Sequence, residues 1–314
     1  MATLIQNAPA IRSSRARISR KKLRENLLGW AMVSPFLIGF LGLFVGPMII
    51  SLILSFQNWN LLSPPTFVGL ANYEKMLADP LVRQSLRVTL TFAVVQIPLH
   101  MALGLAVAML LNAAVRGLSV FRTIYYLPAV ISGVAVAMLW RWIFSPDFGL
   151  LNLGLAAIGI EGPNWLNSRQ WVIPSFVIMS LWGVGGSMVI YLAALQGVPT
   201  QLYEAALIDG ASWWRRTRHI TLPMISPVLL FQFIVLVIGA FRFFEGAYLM
   251  TEGGPANASL FFMLYLFRQG FQYFRMGYAS ALAWLLFVVV LVLTLLILRS
   301  SQAWVYYETE LKKR

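Results

Sequence analysis

Long apolar runs near residues 27–56, 88–111, 120–144, 171–195, 225–248 and 277–298 dominate the chain, each bounded by polar or charged stretches. A helix needs about 20 apolar residues to cross the hydrocarbon of a bilayer, and it satisfies its own backbone hydrogen bonds on the way. Every run reaches that length, so the pattern predicts an all-α integral membrane protein of six transmembrane helices. The first run follows a basic stretch containing Arg12, Arg15, Arg17, Arg20, Lys21, Lys22 and Arg24, as a signal peptide would. The apolar part of a signal peptide is about 7–15 residues long and closes at a small-residue cleavage site. This run is nearly twice that length and ends in Ser55-Phe56-Gln57-Asn58-Trp59, so it is read as a first span that stays attached. Pro98, Pro128 and Pro174 fall inside runs and predict kinks, which membrane helices tolerate, rather than loops.

The polar stretches divide by charge. With the N-terminus inside, the inner segments hold 16 Lys and Arg and the outer loops hold 6. Cytoplasmic segments carry the basic excess, so both termini are expected in the cytoplasm, as an even number of spans requires. The organisation that follows is a basic tail over 1–26, a six-helix domain over 27–299 and a second cytoplasmic tail over 300–314. Outer loops are expected at 57–87, with a short helix around Asn72–Leu77, at 145–170 and at 249–276, where Gly253-Gly254-Pro255 signals a turn. Trp165 and Trp171 suit the membrane interface, as do Trp140 and Trp142 with Arg141 snorkelling between them. No internal repeat and no soluble domain is visible.

Composition sharpens the class. Of 314 residues, 59% are hydrophobic and 11% charged, against about 25% charged in soluble domains. The net charge of +13 would suggest nucleic acid in a soluble chain; here it flanks membrane spans, so no nucleic-acid partner is expected and the lipid bilayer is. Cysteine is absent, which excludes disulfides and thiolate metal sites. His100 and His219 are isolated, and there is no GxxxxGK[ST] phosphate loop. No metal or cofactor site is therefore expected, and any ATP hydrolysis must sit on another chain.

One inner loop, residues 199–223, is unusually informative. Thr200 can cap a helix whose first turn carries Glu204, favourable near the positive helix end. Gly210 suits a left-handed stop, Ser212 can cap a second helix, and Pro223 is expected to end it. Ala205, Ala206 and Ala211 are small enough to admit a neighbouring backbone. Trp213 and Trp214 with Arg215, Arg216 and Arg218 also fit a helix lying on the inner leaflet. That accounts for the second helix and not for the Glu-Ala-Ala and Gly spacing before it.

This loop resembles the EAA loop of binding-protein-dependent ABC importer permeases: Glu204-Ala205-Ala206, three residues, Gly210, nine residues, Ile220, one residue, Leu222-Pro223. Further stretches resemble the carbohydrate branch, the MalF-like first permease. They include Phe67-Val68-Gly69-Leu70-Ala71-Asn72-Tyr73, Ser145-Pro146-Asp147-Phe148-Gly149-Leu150-Leu151-Asn152, Gly253-Gly254-Pro255-Ala256-Asn257 and Phe274-Arg275-Met276-Gly277-Tyr278-Ala279-Ser280-Ala281. The maltose protein carries extra spans and a large periplasmic insert that this chain lacks, so the resemblance implies the compact six-span form of the MetI/MalF-like type I importer fold. It also implies the partners: a second homologous permease in a heterodimer, two ATP-binding-cassette subunits that hold ATP and magnesium, and an extracytoplasmic solute-binding protein. The setting is the inner membrane of a prokaryote. The loop would be the coupling element, with Glu204, Ala205, Ala206, Asp209, Gly210, Ala211, Ile220, Leu222 and Pro223 as its positions.

Polar residues inside spans mark transport paths. Trp182, Ser187 and Tyr191 in the fourth span and Phe241, Arg242 and Glu245 in the fifth are the substrate-pathway candidates. Arg242 and Glu245, spaced i,i+3, would share a helix face, either as a self-neutralising pair or as groups for sugar hydroxyls. His100 is expected to serve helix packing. The expected cargo is a di- or oligosaccharide. Arg242 keeps open a glycerol-3-phosphate or related phosphodiester, or an amino sugar. An ion-coupled secondary transporter is the reading from another class, and it would want more intramembrane carboxylates than Glu245. An intramembrane enzyme lacks any paired-Asp or Ser/His/Asp arrangement.

Overall fold

In a computed structural model of the chain, residues 20–113 and 117–306 are described, with side chains from Arg24 onward. Arg12, Arg15, Arg17, Arg116, Lys312, Lys313 and Arg314, used above for the charge count, lie outside the described residues. The chain forms two compact units, residues 1–53 and 54–314. Helix α1, Arg24–Ser55, makes up the described part of the first unit and is continuous apart from a π-helical turn at Leu41–Val45.

In the second unit, strands β1 (Gln57–Asn58) and β2 (Thr66–Phe67) make a small antiparallel hairpin that the apolar pattern did not foretell. Asn72 holds it, donating from Nδ2 to the carbonyls of Ser55 and Gln57. Helix α2 (Ala71–Ala78) matches the short helix expected there. Then comes α3, Pro80–Leu111, eight residues longer at its start than the predicted span. The extension has a local cause: Pro80 is pre-set for the first helical position, and Asp79 accepts from the Leu81 N–H at 2.9 Å.

Helix α3 is the centre of the bundle. Its buried positions, Val82, Ser85, Val88, Thr89, Phe92, Gln96, His100, Gly104, Val107, Ala108 and Leu111, recur at three- and four-residue spacing along one broad stripe. Around it pack α7 (Val172–Leu181), α8 (Gly185–Gln196), α10 (Trp213–Phe241) and α11 (Phe262–Phe267). Toward the Asp79 end the core is aromatic: Phe92, Phe176, Phe243 and Phe261 interlock with ring centroids 4.7–5.6 Å apart. Toward the Leu111 end it is built from Met188, Tyr191, Leu192 and Ile225. The last helix, α12 (Met276–Ser301), packs on α10, and its first residues bond the Trp59 carbonyl beside the hairpin.

Among the described residues, four helices are long and apolar enough to cross a membrane, or six if each of two bent pairs counts as one span. The third predicted span is such a pair, α4 (Leu118–Val130) and α5 (Gly133–Ile143), which meet at 98°. The break is not at Pro128. It falls at Ile131, which is extended, and Ser132, which is also non-helical. The fourth span bends by 48° between α7 and α8. Pro174 lies in the first turn of α7 and causes no kink; the bend is at Trp182–Val184, around Gly183. Proline is compatible with the first helical turn, where its missing N–H has no partner to lose.

The fifth span starts earlier and stops sooner than 225–248, running as α10 from Trp213 to Phe241. Trp140 and Trp165, expected at an interface, are core residues. Trp140 stacks on Phe144 and meets Trp182 edge-on, and the Trp165 Nε1 donates to Asn152 Oδ1 at 2.7 Å. Aromatic faces cover more apolar area against one another than in a mixed interface, and here the indole N–H has a partner that lets one of them sink.

Candidate functional site

The inner loop forms a two-armed element. The first arm is α9, Thr200–Ile208. Its N-cap is Pro199 and no side chain caps it, so Thr200 is helical and Glu204 falls in the second turn, one turn later than expected. The stop is where the sequence placed it. Gly210 has φ of +69°. The Gly210 N–H bonds the Leu207 carbonyl at 3.0 Å and the Ala211 N–H reaches back to Ala206 at 2.8 Å. These two bonds satisfy carbonyls that a helix end otherwise leaves open, and they define a Schellman stop. Ala206, Gly210 and Ala211 are thus three parts of one turn, with Asp209 at its tip as the C-cap.

The second arm does not end at Pro223. Ser212 caps it, accepting from the Arg215 N–H. The helix then passes through a π-helical turn at Thr217–Thr221 and runs without interruption to Phe241. Proline in mid-helix lacks a donor and clashes with the carbonyl four residues back. A wider π turn immediately before Pro223 gives the ring room, which is why the helix survives. The arm is therefore continuous with a membrane-length helix, which also carries Pro227 in its interior. Tyr203 ties the first arm to it through a 3.0 Å bond to Thr221 Oγ1. Ile220 packs into the core beside Met188 and Ile225, and Leu222 and Pro223 are half-buried on the rod. Glu204 and Ala205 stay exposed, and so do Leu207 and Ile208, the latter 87% accessible.

The pathway candidates separate. Tyr191 is fully buried between α3 and α8, its ring against Gly104, and its hydroxyl has no partner among the described residues. Ser187 is buried beside it and bonds His100 Nε2 at 3.1 Å, which fits the packing role expected of His100. Trp182 is half-buried against Trp140, and Phe241 is in the core. Arg242 is the C-cap of α10, and Glu245 belongs to a separate turn after it. The two charges do not share a helix face, which corrects the expected i,i+3 pair. Both are exposed. Glu245 turns to the start of α5: a Cβ on Gly133 would lie 1.8 Å from its Oε2, so the carboxylate rests where Gly133 leaves room. No His, Asp or Glu cluster among the described residues could hold a metal.

Membrane-length apolar helices, one of them continuous with an exposed two-armed element, define an all-α integral membrane protein. Residues 100–305 match the family described as binding-protein-dependent transport system inner membrane component, and the chain belongs to that family. It is 41% identical over 297 residues to YesP of Bacillus subtilis, a probable ABC transporter permease protein, covering 93% of this chain and 96% of that one. It is 36% identical to the lactose transport system permease protein LacF of Rhizobium radiobacter, over 90% of this chain and 97% of that one. The trehalose/maltose transport system permease protein MalF of Thermococcus litoralis is 34% identical, over 90% and 96%. Among solved structures, a bacterial alginate ABC transporter in complex with an alginate pentasaccharide-bound periplasmic protein contains a chain that superposes with a TM-score of 0.79. It is 26% identical, over 90% of this chain and 96% of that chain.

Proposed function

We propose that the chain is one permease half of an ATP-binding-cassette importer for a saccharide, with residues 199–223 as the element that receives the stroke of a separate ATPase. The observation that carries this reading is the exposed Schellman turn at Ala206–Ala211, joined through Ser212 to an unbroken helix Trp213–Phe241. A force applied at Glu204 and Ile208 is delivered to a helix that stays continuous through Pro223 and Pro227 to Phe241. The partners are a second permease, two ATPase subunits carrying ATP and magnesium, and an extracytoplasmic binding protein. Both termini face the cytoplasm of a prokaryotic cell. Transport is by alternating access: closure of the ATPase dimer moves the two-armed element, and the helices swing to open the path outward.

Relatives named for lactose and for trehalose/maltose support a saccharide cargo. Arg242 adds a bias. Its guanidinium is exposed, with no ion-pair or hydrogen-bond partner among the described residues, at a point where the sequence is otherwise apolar. A lone cation in such a place favours a cargo that brings a negative charge. That fits a saccharide with acidic groups, and the same feature is what would support a glycerol-3-phosphate cargo. The decisive experiment is co-expression of the chain with its partner permease and ATPase. Glu204→Lys should lower ATP-driven uptake at least about tenfold, the scale on which a misplaced charge at an interface acts, while the variant still inserts. Normal assembly and uptake by that variant would refute the coupling assignment.

A further inference from the structure

Beyond the candidates near Arg242, the structure contains a cavity of about 370 Å³ at the far end of α5, where Arg141, Trp142, Asn164 and Asn167 converge. We propose that this cavity is an entry subsite that takes one uronate unit of an incoming acidic oligosaccharide. The proposal rests on the importer reading above and extends it to a place and a chemistry.

The walls have the composition that sugar recognition needs. Trp142 and Phe148 line the cavity with 48% and 57% of their surface accessible, offering flat apolar faces to the C–H side of a pyranose ring. Asn164 and Asn167 are exposed on the same cavity; the Asn164 Oδ1 accepts from the Asn167 N–H at 3.3 Å, which leaves its Nδ2 donors and the Asn167 side-chain amide to offer to sugar hydroxyls. Arg141 donates from Nη1 to the Leu249 carbonyl at 3.3 Å, which orients the fork. Its remaining donors are free to hold a carboxylate in bidentate fashion. The volume falls in the lower part of the range of small-molecule sites, about 300–1,000 Å³.

The site is also rigid. Beneath it Phe144 and Trp165 are buried with ring centroids 5.6 Å apart. Asn152 accepts from Trp165 Nε1 and donates to the carbonyls of Pro146 and Pro163, so both sides of the loop are tied to one side chain. Gly149 closes the turn, its N–H bonded to the Ser145 carbonyl at 3.0 Å. Fixed walls lower the entropy lost on binding.

Position completes the argument. Helix α5 runs from Gly133, against which the Glu245 carboxylate rests, to Arg141 and Trp142 at its other end. Eight residues of helix span about 12 Å. The cavity therefore lies a few sugar units along one helix from the Glu245 carboxylate. A snorkelling role would account for Arg141 alone. It would not account for two exposed asparagines and an exposed indole meeting it around one hollow.

The test uses the assembled permease–ATPase complex in nanodiscs and measures equilibrium binding by saturation-transfer NMR and calorimetry. The probes are tri-galacturonate and trimannuronate, each beside its neutral counterpart. The expected result is tighter binding of at least one uronate than of its neutral counterpart. Arg141→Gln should remove that preference, about a tenfold effect for one charge-assisted contact. Trp142→Ala should weaken both members of the pair, and Trp142→Phe should restore binding. Thermal stability and co-purification with the ATPase check that the variants fold. Equal binding of uronate and neutral sugars by the wild type would overturn the proposal, as would a preference unchanged in Arg141→Gln. Failure of the importer reading has a different signature, a chain that does not associate with ATPase subunits at all.

Discussion

Asp79 shows how much one side chain can organise. It starts α3, and its Oδ2 accepts from the hydroxyls of Tyr265 and of Tyr278, the latter at 2.7 Å, while Lys75 lies over the Tyr278 ring. Three segments distant in sequence are thereby pinned at one end of the central helix. Partial burial works to raise the Asp79 pKa, but the two tyrosine hydroxyls, the Leu81 N–H and Lys75 outweigh it and hold the carboxyl below its usual range. A carboxyl with a depressed pKa in the fold stabilises it fully above the ordinary carboxylate range, and that contribution drains away as pH falls through the folded value. Asp79→Asn is therefore expected to lose about 1 kcal/mol at neutral pH, after discounting for solvent screening. Its deficit against the wild type should shrink below about pH 4. Thermal melts of the detergent-purified chain across pH would show this, and a deficit constant down to pH 3 would contradict it. Gly210 is the other organising residue. Its φ of +69° costs an L side chain about 1–2 kcal/mol, so glycine there is a condition of the sharp stop.

At the scale of elements, two crossings decide the bundle. Helices α4 and α8 touch backbone to backbone: a Cβ on Gly185 would sit 2.1 Å from the Tyr125 carbonyl oxygen. Gly186, one residue on, faces open space up to the Ala129 Cβ at 4.0 Å. Gly185→Leu is thus expected to part the helices, with a loss of about 1–3 kcal/mol or failure to accumulate in the membrane, whereas Gly186→Ala should be close to neutral. Melting temperature and membrane yield of the two variants, side by side, check this, and equal behaviour would count against the crossing. The second element is the rod Trp213–Phe241. Its π turn turns an apparent helix stop at Pro223 into a continuous lever. On the proposed coupling role this continuity matters, because a break at Pro223 would dissipate motion begun at the exposed arm.

For the whole molecule, the arrangement predicts an energy source. The bundle has one central helix and the exposed two-armed element proposed to receive the ATPase stroke, and Glu245 is the only clear carboxylate inside a predicted span. Uptake by the reconstituted complex should therefore require ATP and its ATPase and should persist when a protonophore collapses the ion gradient. Uptake without the ATPase that fails under the protonophore would instead establish an ion-coupled carrier. If the hollow beside Arg141 takes a uronate as proposed, discrimination among acidic sugars is expected to be a property of the permease as well as of its binding protein.

What the sequence settled by itself was whatever depends on local chemistry. Lipid-length apolar runs, the short helix at Asn72–Leu77 and the stop at Gly210 were legible because hydrophobicity, capping and backbone freedom act over a few residues. The family resemblance was legible for the same reason, since its motif is a turn and two helix ends. The tertiary structure decided the rest. The 98° corner at Ile131–Ser132 and the separation of Arg242 from Glu245 follow from packing against distant helices. So do the burial of Tyr191 and Trp140 and the gathering of Arg141 with Asn164 and Asn167. No window of sequence contains both sides of those contacts, so no local pattern could carry them.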